Sequence, residues 1–406
     1  MSENSLSAGL RLFRNPNVGR MFIAYLISYT GTAMAPIAMA FGVLELTGST
    51  KDSAIVIAAP TFAAVAVLLF GGVVADRTSR KKVIYSADML AMCAQFVLAY
   101  LLLSGNASIF WLTFFMLLNG VALAFHAPAA TGLIVQLVDK EDLQSTNAIL
   151  GMARNGAMAG GAALGGILVA LFGAGMTLAI DAASFAVSAL LVFSLKPKEQ
   201  AQPEAASVIQ DLKLGWKEFT AHTWLWVIVL QFAFVVAGIE SVFGLIGPAV
   251  ARQELGGAVA WGIIASAFGV GMFFGGITAI KIRPKHPMRV GTFCVFFLAA
   301  LPLALMWSLP IYVMAIAAFA GGITIQIFAV IWYTLLQTKI PPHMLSRVSA
   351  YDHLGSIALA PLGIVAAGIL YETFGYQTTL LLAAAIIIVP TACALMVRDV
   401  WMMTSD

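Results

Sequence analysis

Twelve stretches of about 20 mostly apolar residues, separated by short polar connections, constrain this chain more than any other feature. A hydrocarbon core ~30 Å thick demands that length of a helix, and in lipid the backbone must satisfy its own polar groups. The spans are 21–44, 53–75, 83–103, 110–137, 147–171 and 176–195, then 224–250, 261–280, 290–307, 311–336, 348–370 and 378–397. Composition agrees: 61% of the 406 residues are hydrophobic, only 10% are charged, and the mean hydropathy is +0.95. Soluble domains hold roughly 45–50% apolar residues. The alternation of barrel strands is missing. The expected fold is therefore all-α and integral to a membrane.

The basic residues choose an orientation. With the N-terminus in the cytoplasm, only Lys51 and Arg252 face outward, and Arg154 lies inside a span. The other lysines and arginines collect in the N-terminal segment, the inner loops and the C-terminus, as the positive-inside rule requires. Trp111, Trp261 and Trp307 stand at outer ends, Trp224 and Trp226 at an inner end, the places of an aromatic belt. Both termini are expected in the cytoplasm, with the chain multi-pass in the cell membrane, a bacterial inner membrane. The polar start "MSENSLSAGLRLFRNPN" has no apolar core or cleavage site of a signal peptide. A net charge of +3, scattered between spans, points to no nucleic acid. Cys93, Cys294 and Cys393 fall in apolar runs and read as small buried hydrophobes, with no disulfide framework.

The halves repeat. "GGILVALFG" (165–173) aligns with "AGILYETFG" (367–375) at an offset of 202, which also brings Gly120 onto Gly322 and Leu143 onto Leu345. Six helices is an even number, so both halves share one orientation, the parallel repeat that transporters use around a midplane site. The expected organisation is an N-terminal six-helix half (1–195), a cytoplasmic linker (196–223) and a C-terminal six-helix half (224–406). In the linker, Val208, Ile209, Leu212, Trp216 and Phe219 recur at helical spacing, which predicts an amphipathic helix on the membrane surface.

Charge gathers at one point of this oily chain: "GGVVADRTSRKKV" (71–83) carries five charged residues in the seven from Asp76 to Lys82. Gly72, Asp76, Arg77, Arg80 and Lys81 match the G-x-x-x-D-R-x-x-R-K signature between helices two and three of the major facilitator superfamily. The chain resembles that family over nearly its whole length, and within it the drug-efflux and secretion-effector branch of macrolide and siderophore exporters. The resemblance implies twelve helices in two pseudo-symmetric halves and a cytoplasmic gate built from those five residues. Two departures stand out. The helix-four R-x-x-Q-G of many drug antiporters reads Met116-Leu-Leu-Asn119-Gly120 here, and the helix-five G-P-x-x-G-G reads Gly161-Ala-Ala-Leu-Gly165-Gly166, without arginine or proline. Proton coupling by the family's usual route is thereby put in question.

Ionisable residues inside a span default to function, because each costs on the order of 2.5–3.5 kcal/mol at mid-membrane. Asp88 and Arg154 enter their helices from the same side and could form a buried charge pair. Glu240 has no basic residue in its span before Arg252 and is the first candidate to take up a proton; His126 is the second. Gln231 lies nine residues before Glu240, about half a turn round, so both face one cavity only if the helix bends, with Gly238 as the candidate place. The family's cavity helices offer Tyr25, Tyr29 and Thr32, then Phe115 and Asn119, with Gln231, Gln326 and Tyr333. Such an aromatic wall with few polar anchors suits hydrophobic or amphiphilic molecules. The glycine pairs 156/160, 161/165 and 271/275 read as close-packing motifs.

No Walker loop, nucleophile–base set or metal-ligand cluster is present among the five scattered histidines, so no enzyme, metal or cofactor is expected. The expected function is secondary, proton-coupled export of a drug, antibiotic or secondary metabolite by a monomer, with substrate, coupling ion and membrane lipids as its partners. Import of a small nutrient and lipid flipping are the alternatives on the same fold.

Overall fold

The apolar runs fold as helices because nothing else in an open chain satisfies the backbone in lipid. The structure, a computed structural model, describes residues 13, 15–139, 142–197, 208–282, 284–341 and 344–404. Within them, the side chains of 68–77, 131, 144, 145, 148, 208–212, 280 and 346 lie outside the description. The helices are α1 (Pro16–Thr47), α2 (Thr50–Arg77), α3 (Arg80–Leu103), α4 (Ile109–Leu137), α5 and α6 (143–172 and 174–193), and α7 (Val208–Ala221). Then follow α8 (Thr223–Glu254), α9 (Ala258–Lys281), α10 (Pro287–Met306), α11 (Ile311–Lys339), α12 and α13 (345–374 and 376–396) and α14 (Arg398–Met402).

Ten continuous helical runs among the described residues are long and apolar enough to cross a membrane. Two of these are helix pairs. Gly173 (φ 77°, ψ 172°) separates α5 from α6, and Gly375 (φ 79°, ψ 167°) separates α12 from α13. That backbone region is essentially open to glycine alone. Four residues after each glycine, a threonine hydroxyl (Thr177, Thr379) donates to the glycine carbonyl at 2.9 Å. The offset of 202 thus holds down to single hydrogen bonds.

Contacts divide the chain into two units, Met1–Gly42 with Ala59–Ala205, and Val43–Ala58 with Ala206–Asp406. In the first, Gly161 packs on Thr30 and Gly165 on Met34, so α5 runs parallel to α1. Arg20 Nη1 donates to the Ser194 carbonyl (2.8 Å) and Gly42 faces Ala174, so α6 runs antiparallel to it. The second unit repeats the arrangement: Gly355 meets Val229 and Gly363 meets Ala237, parallel, while Gln231 bonds Thr391 and Gly238 meets Ala383, antiparallel. Crossings repeat as well. A Cβ on Gly120 would overlap the Pro60 carbonyl of α2, and one on Gly322 the Phe268 carbonyl of α9.

Several expectations change. Gly271 and Gly275 do pack on the α11 backbone, but Gly156 and Gly160 meet nothing within 4 Å, so that glycine pair is no packing motif. Cys93 and Cys393 are exposed and Cys294 is half-buried, since a bilayer-facing helix need not bury its apolar side chains. Trp261 is buried against Gly247 and Phe243, and Trp224 against Trp332, so neither serves an interfacial belt. The linker helix forms as α7 and packs on α12: Gly215 lies against Arg347, and Trp216 sits 5.4 Å from the Tyr351 ring. Val208, Ile209 and Leu212 fall among the side chains outside the description.

The tip of the α1–α2 hairpin belongs to the second unit. Glu372 Oε1 of α12 accepts from Ser49 Oγ (2.7 Å) and from the Lys51 amide (3.0 Å), which caps α2 with a carboxylate from another helix. The Arg252 guanidinium donates to the Leu44 carbonyl at the end of α1. Glu372→Ala should cost about 0.5–2 kcal/mol, the worth of an N-terminal cap. It should also speed hydrogen exchange at the Lys51 amide, and Glu372→Gln should recover part of both. An unchanged exchange rate in the alanine variant would remove the cap from the account.

Candidate functional site

The first unit gathers its polar side chains on α1, α3, α4, α5 and α6. Asp88 and Gln95 lie two turns apart on one face of α3; Asp181 and Ser188 lie two turns apart on α6. The antiparallel crossing of α3 and α6 pairs them. Ser188 Oγ donates to Asp88 Oδ2 (2.7 Å), and Gln95 Nε2 donates to Asp181 Oδ2 (2.7 Å). Ser184 Oγ donates to the other Asp181 oxygen at 3.3 Å, and Gly31 of α1 closes over that carboxyl. From α4, His126 Nε2 reaches Asp88 Oδ1 at 3.4 Å; its side chain is 19% exposed against 1% for Asp88.

The expected Asp88–Arg154 pair is therefore corrected. Asp88 turns to α4 and α6, whereas Arg154 lies two turns before Gly161 on the side of α5 that meets α1. Arg154 is exposed and acts on the hydroxyl of Tyr29. Tyr25 and Tyr29 meet edge to face at 5.2 Å, and the charges of both Arg154 and Asp88 reach them. Thr32 is half-buried further along α1. On α4, Phe115 packs with Trp111 and Phe114, and the Asn119 amide nitrogen is buried with no hydrogen-bond partner among the described residues.

At the inner end of this unit, Arg80 and Lys81 bond backbone carbonyls. Arg80 Nη1 donates to the Gly132 carbonyl (2.7 Å), and Lys81 Nζ donates to the Leu195 carbonyl (2.8 Å) while lying 5.2 Å over the Phe193 ring. The Lys81 cation there complements the carbonyl end of α6. Gly72, Asp76 and Arg77 of the expected gate lie on α2 outside the described side chains.

In the second unit, Glu240 is exposed on α8 with no hydrogen-bond or ion-pair partner among the described residues. An irregular turn sits just beyond it. Val242–Ile246 form a π-helical turn, an irregularity frequent at functional sites, and it borders a small apolar cavity lined by Ile239, Phe243, Phe268, Pro302 and Gly321. Gly238 instead packs on Ile386 and Ile387. Gln231 does not join Glu240: it is 2% exposed, and its Nε2 donates to Thr391 Oγ1 of α13 (2.9 Å), as the half-turn separation without an intervening bend requires. Gln326 lies beside Gly275 and Gly276 of α9, and Tyr333 is 57% exposed on α11. The sequence reading missed the α3–α6 seam and the buried bond from Trp332 Nε1 to Asp352 Oδ2 (3.0 Å). The seven-residue spacing of polar groups on two apolar helices was the available signal for the seam.

Comparison with known proteins agrees with this architecture. Among curated relatives, an uncharacterised MFS-type transporter of Bacillus subtilis, YkuC, is 27% identical over 83% of this chain and 81% of its own. The enterobactin exporter EntS of Shigella dysenteriae is 25% identical over 89% of each chain. Among solved structures, a bacterial homologue of the human lysosomal transporter Spinster superposes with a TM-score of 0.76 at 14% identity, covering 96% of this chain and 98% of that one. The nucleoside transporter NupG gives a TM-score of 0.74 at 15% identity, covering 96% of this chain and 100% of that one. Both share the fold. The sequence profile of the Major Facilitator Superfamily matches residues 21–351. With its all-helical spans and a family match across most of its length, this chain is a multi-pass membrane transporter that belongs to the major facilitator superfamily, and it is not an enzyme.

Proposed function

We propose that this transporter exports a hydrophobic or amphiphilic small molecule by alternating access, with proton coupling at Glu240. The observation that carries the coupling is the carboxyl itself: it is exposed and unpartnered among the described residues within a membrane span, just before the α-helix gives way to a π turn. An acid so placed has no structural partner among the described residues to explain it, and intramembrane acids mark ion pathways. The name of EntS, an enterobactin exporter, supports the outward direction. The aromatic side chains Tyr25, Tyr29, Phe115 and Tyr333, with Thr32, Asn119 and Gln326, are the proposed cargo contacts. Gly72, Asp76, Arg77, Arg80 and Lys81 are the proposed cytoplasmic gate. The working form is a monomer in the bacterial inner membrane, two six-helix halves with both termini cytoplasmic.

The test is accumulation of lipophilic dyes and antibiotics in bacteria stripped of their own pumps, with and without a protonophore. Cells carrying the protein should hold less of at least one compound, and the protonophore should erase the difference. Higher accumulation than in empty-vector cells would instead favour import of a small nutrient. No change for any compound, with movement of labelled lipid in vesicles, would favour a flippase.

A further inference from the structure

Arg154 raises a question that neither fold nor family answers. It is exposed, it stands on a membrane-spanning helix, and no carboxylate lies within 4 Å of it among the described residues. A bare guanidinium in a span is costly unless something pairs with it. Asp88, whose charge reaches the same tyrosines, is already engaged by Ser188 at 2.7 Å and faces His126 at 3.4 Å. What the protein does place beside Arg154 is the Tyr25–Tyr29 pair, two half-buried rings meeting edge to face, with the Tyr29 hydroxyl toward the guanidinium.

We propose that Arg154, Tyr25 and Tyr29 form a cargo subsite in the first unit that selects amphiphilic anions, an aromatic body carrying a carboxylate or phenolate. The planar guanidinium fork matches a carboxylate with two parallel hydrogen bonds. The tyrosine rings offer an apolar wall for the body, and their hydroxyls can donate to the same anion. Asp88 directs its oxygens to α4 and α6, but its charge still reaches the tyrosines, so Arg154 and the two hydroxyls have to outweigh it for an anion to bind. The subsite also bears on direction. An inside-negative membrane potential pushes an anion outward, and it pulls a proton inward, so the two movements are driven together. Missing antiporter signatures on helices four and five are less of a loss when the cargo's own charge supplies drive.

This deepens the exporter reading, on which it rests, and binding without turnover tests it separately. Naphthyl, biphenyl and indolyl scaffolds would each be offered as carboxylate, primary amide and methylamine to the purified full-length protein in nanodiscs. For at least one scaffold, the carboxylate should bind about tenfold tighter than the amide or the amine, the scale of a charge-assisted pair near a surface. Arg154→Gln should bring the carboxylate down to the amide, and Arg154→Lys should keep part of the preference. Tyr29→Phe should weaken the carboxylate by a smaller factor. Equal affinity for carboxylate and amide across all scaffolds would overturn the proposal. So would a preference that survives Arg154→Gln, or retention by Arg154→Lys of no more than Arg154→Gln retains. A preference that is present while cells show no efflux would spare the subsite and sink the exporter reading.

Discussion

Glu240→Gln should leave the protein folded and inserted yet lower protonophore-sensitive efflux by about tenfold or more, equivalent to roughly 1.4 kcal/mol on the rate-limiting step. The amide has nearly the shape of the protonated acid, and the carboxyl it replaces has no partner among the described residues to be orphaned. Stability should therefore hold, and thermal unfolding in detergent should show it. What the amide cannot do is take up and release a proton. Cargo counterflow in vesicles, which needs no net proton movement, should survive the change. Loss of counterflow together with efflux would make Glu240 a cargo contact; normal efflux would move coupling elsewhere, with the Asp88–His126 pair the next place to look.

Larger still in structural terms is the expected effect of a single methyl group at Gly120 or Gly322. Each glycine lies against a backbone carbonyl, that of Pro60 or of Phe268. A side chain's far end can swing away, but a carbonyl in a helix moves only with its helix. Gly120→Ala and Gly322→Ala should each cost about 1–3 kcal/mol through overpacking. The visible result would be a lower melting temperature and less protein recovered from membranes. Gly156→Ala, where nothing lies within 4 Å, is the matched control and should be neutral or slightly stabilising. Equal losses at Gly120 and Gly156 would show that general helix propensity, not close approach, sets the cost.

The spans were legible because length and hydropathy are one-dimensional properties, and a bilayer reads them in one dimension. Asp88 and Arg154 do lie within helices long and apolar enough to cross a membrane. Their pairing was not legible, because it depends on which way each helix is turned. Only the packing of Gly161 on Thr30 places Arg154 toward α1, and only the bond to Ser188 places Asp88 toward α6. Gln231 fails for a related reason: it lies half a turn from Glu240, and the one irregularity in this helix, the π turn at 242–246, lies beyond both residues. The gate signature was the most readable motif, and charge pattern alone does not reveal that Arg80 and Lys81 also bond backbone carbonyls of α4 and of the segment after α6.

The glycine turn between α5 and α6 bears on how the chain enters a bilayer. A single residue joins the two helices, and from Asn155 to Ile180 there is no charged side chain; Leu171 and Phe172, beside the turn, are exposed and apolar. No hydrophilic loop has to be carried across. During synthesis this segment is suited to slide in as a preformed hairpin, both arms at once, and Asp181 can cross with its hydrogen-bond partner Ser184 already one turn away on the same arm. A charged tag inserted at Gly173 would then arrest biogenesis before any transport could be measured.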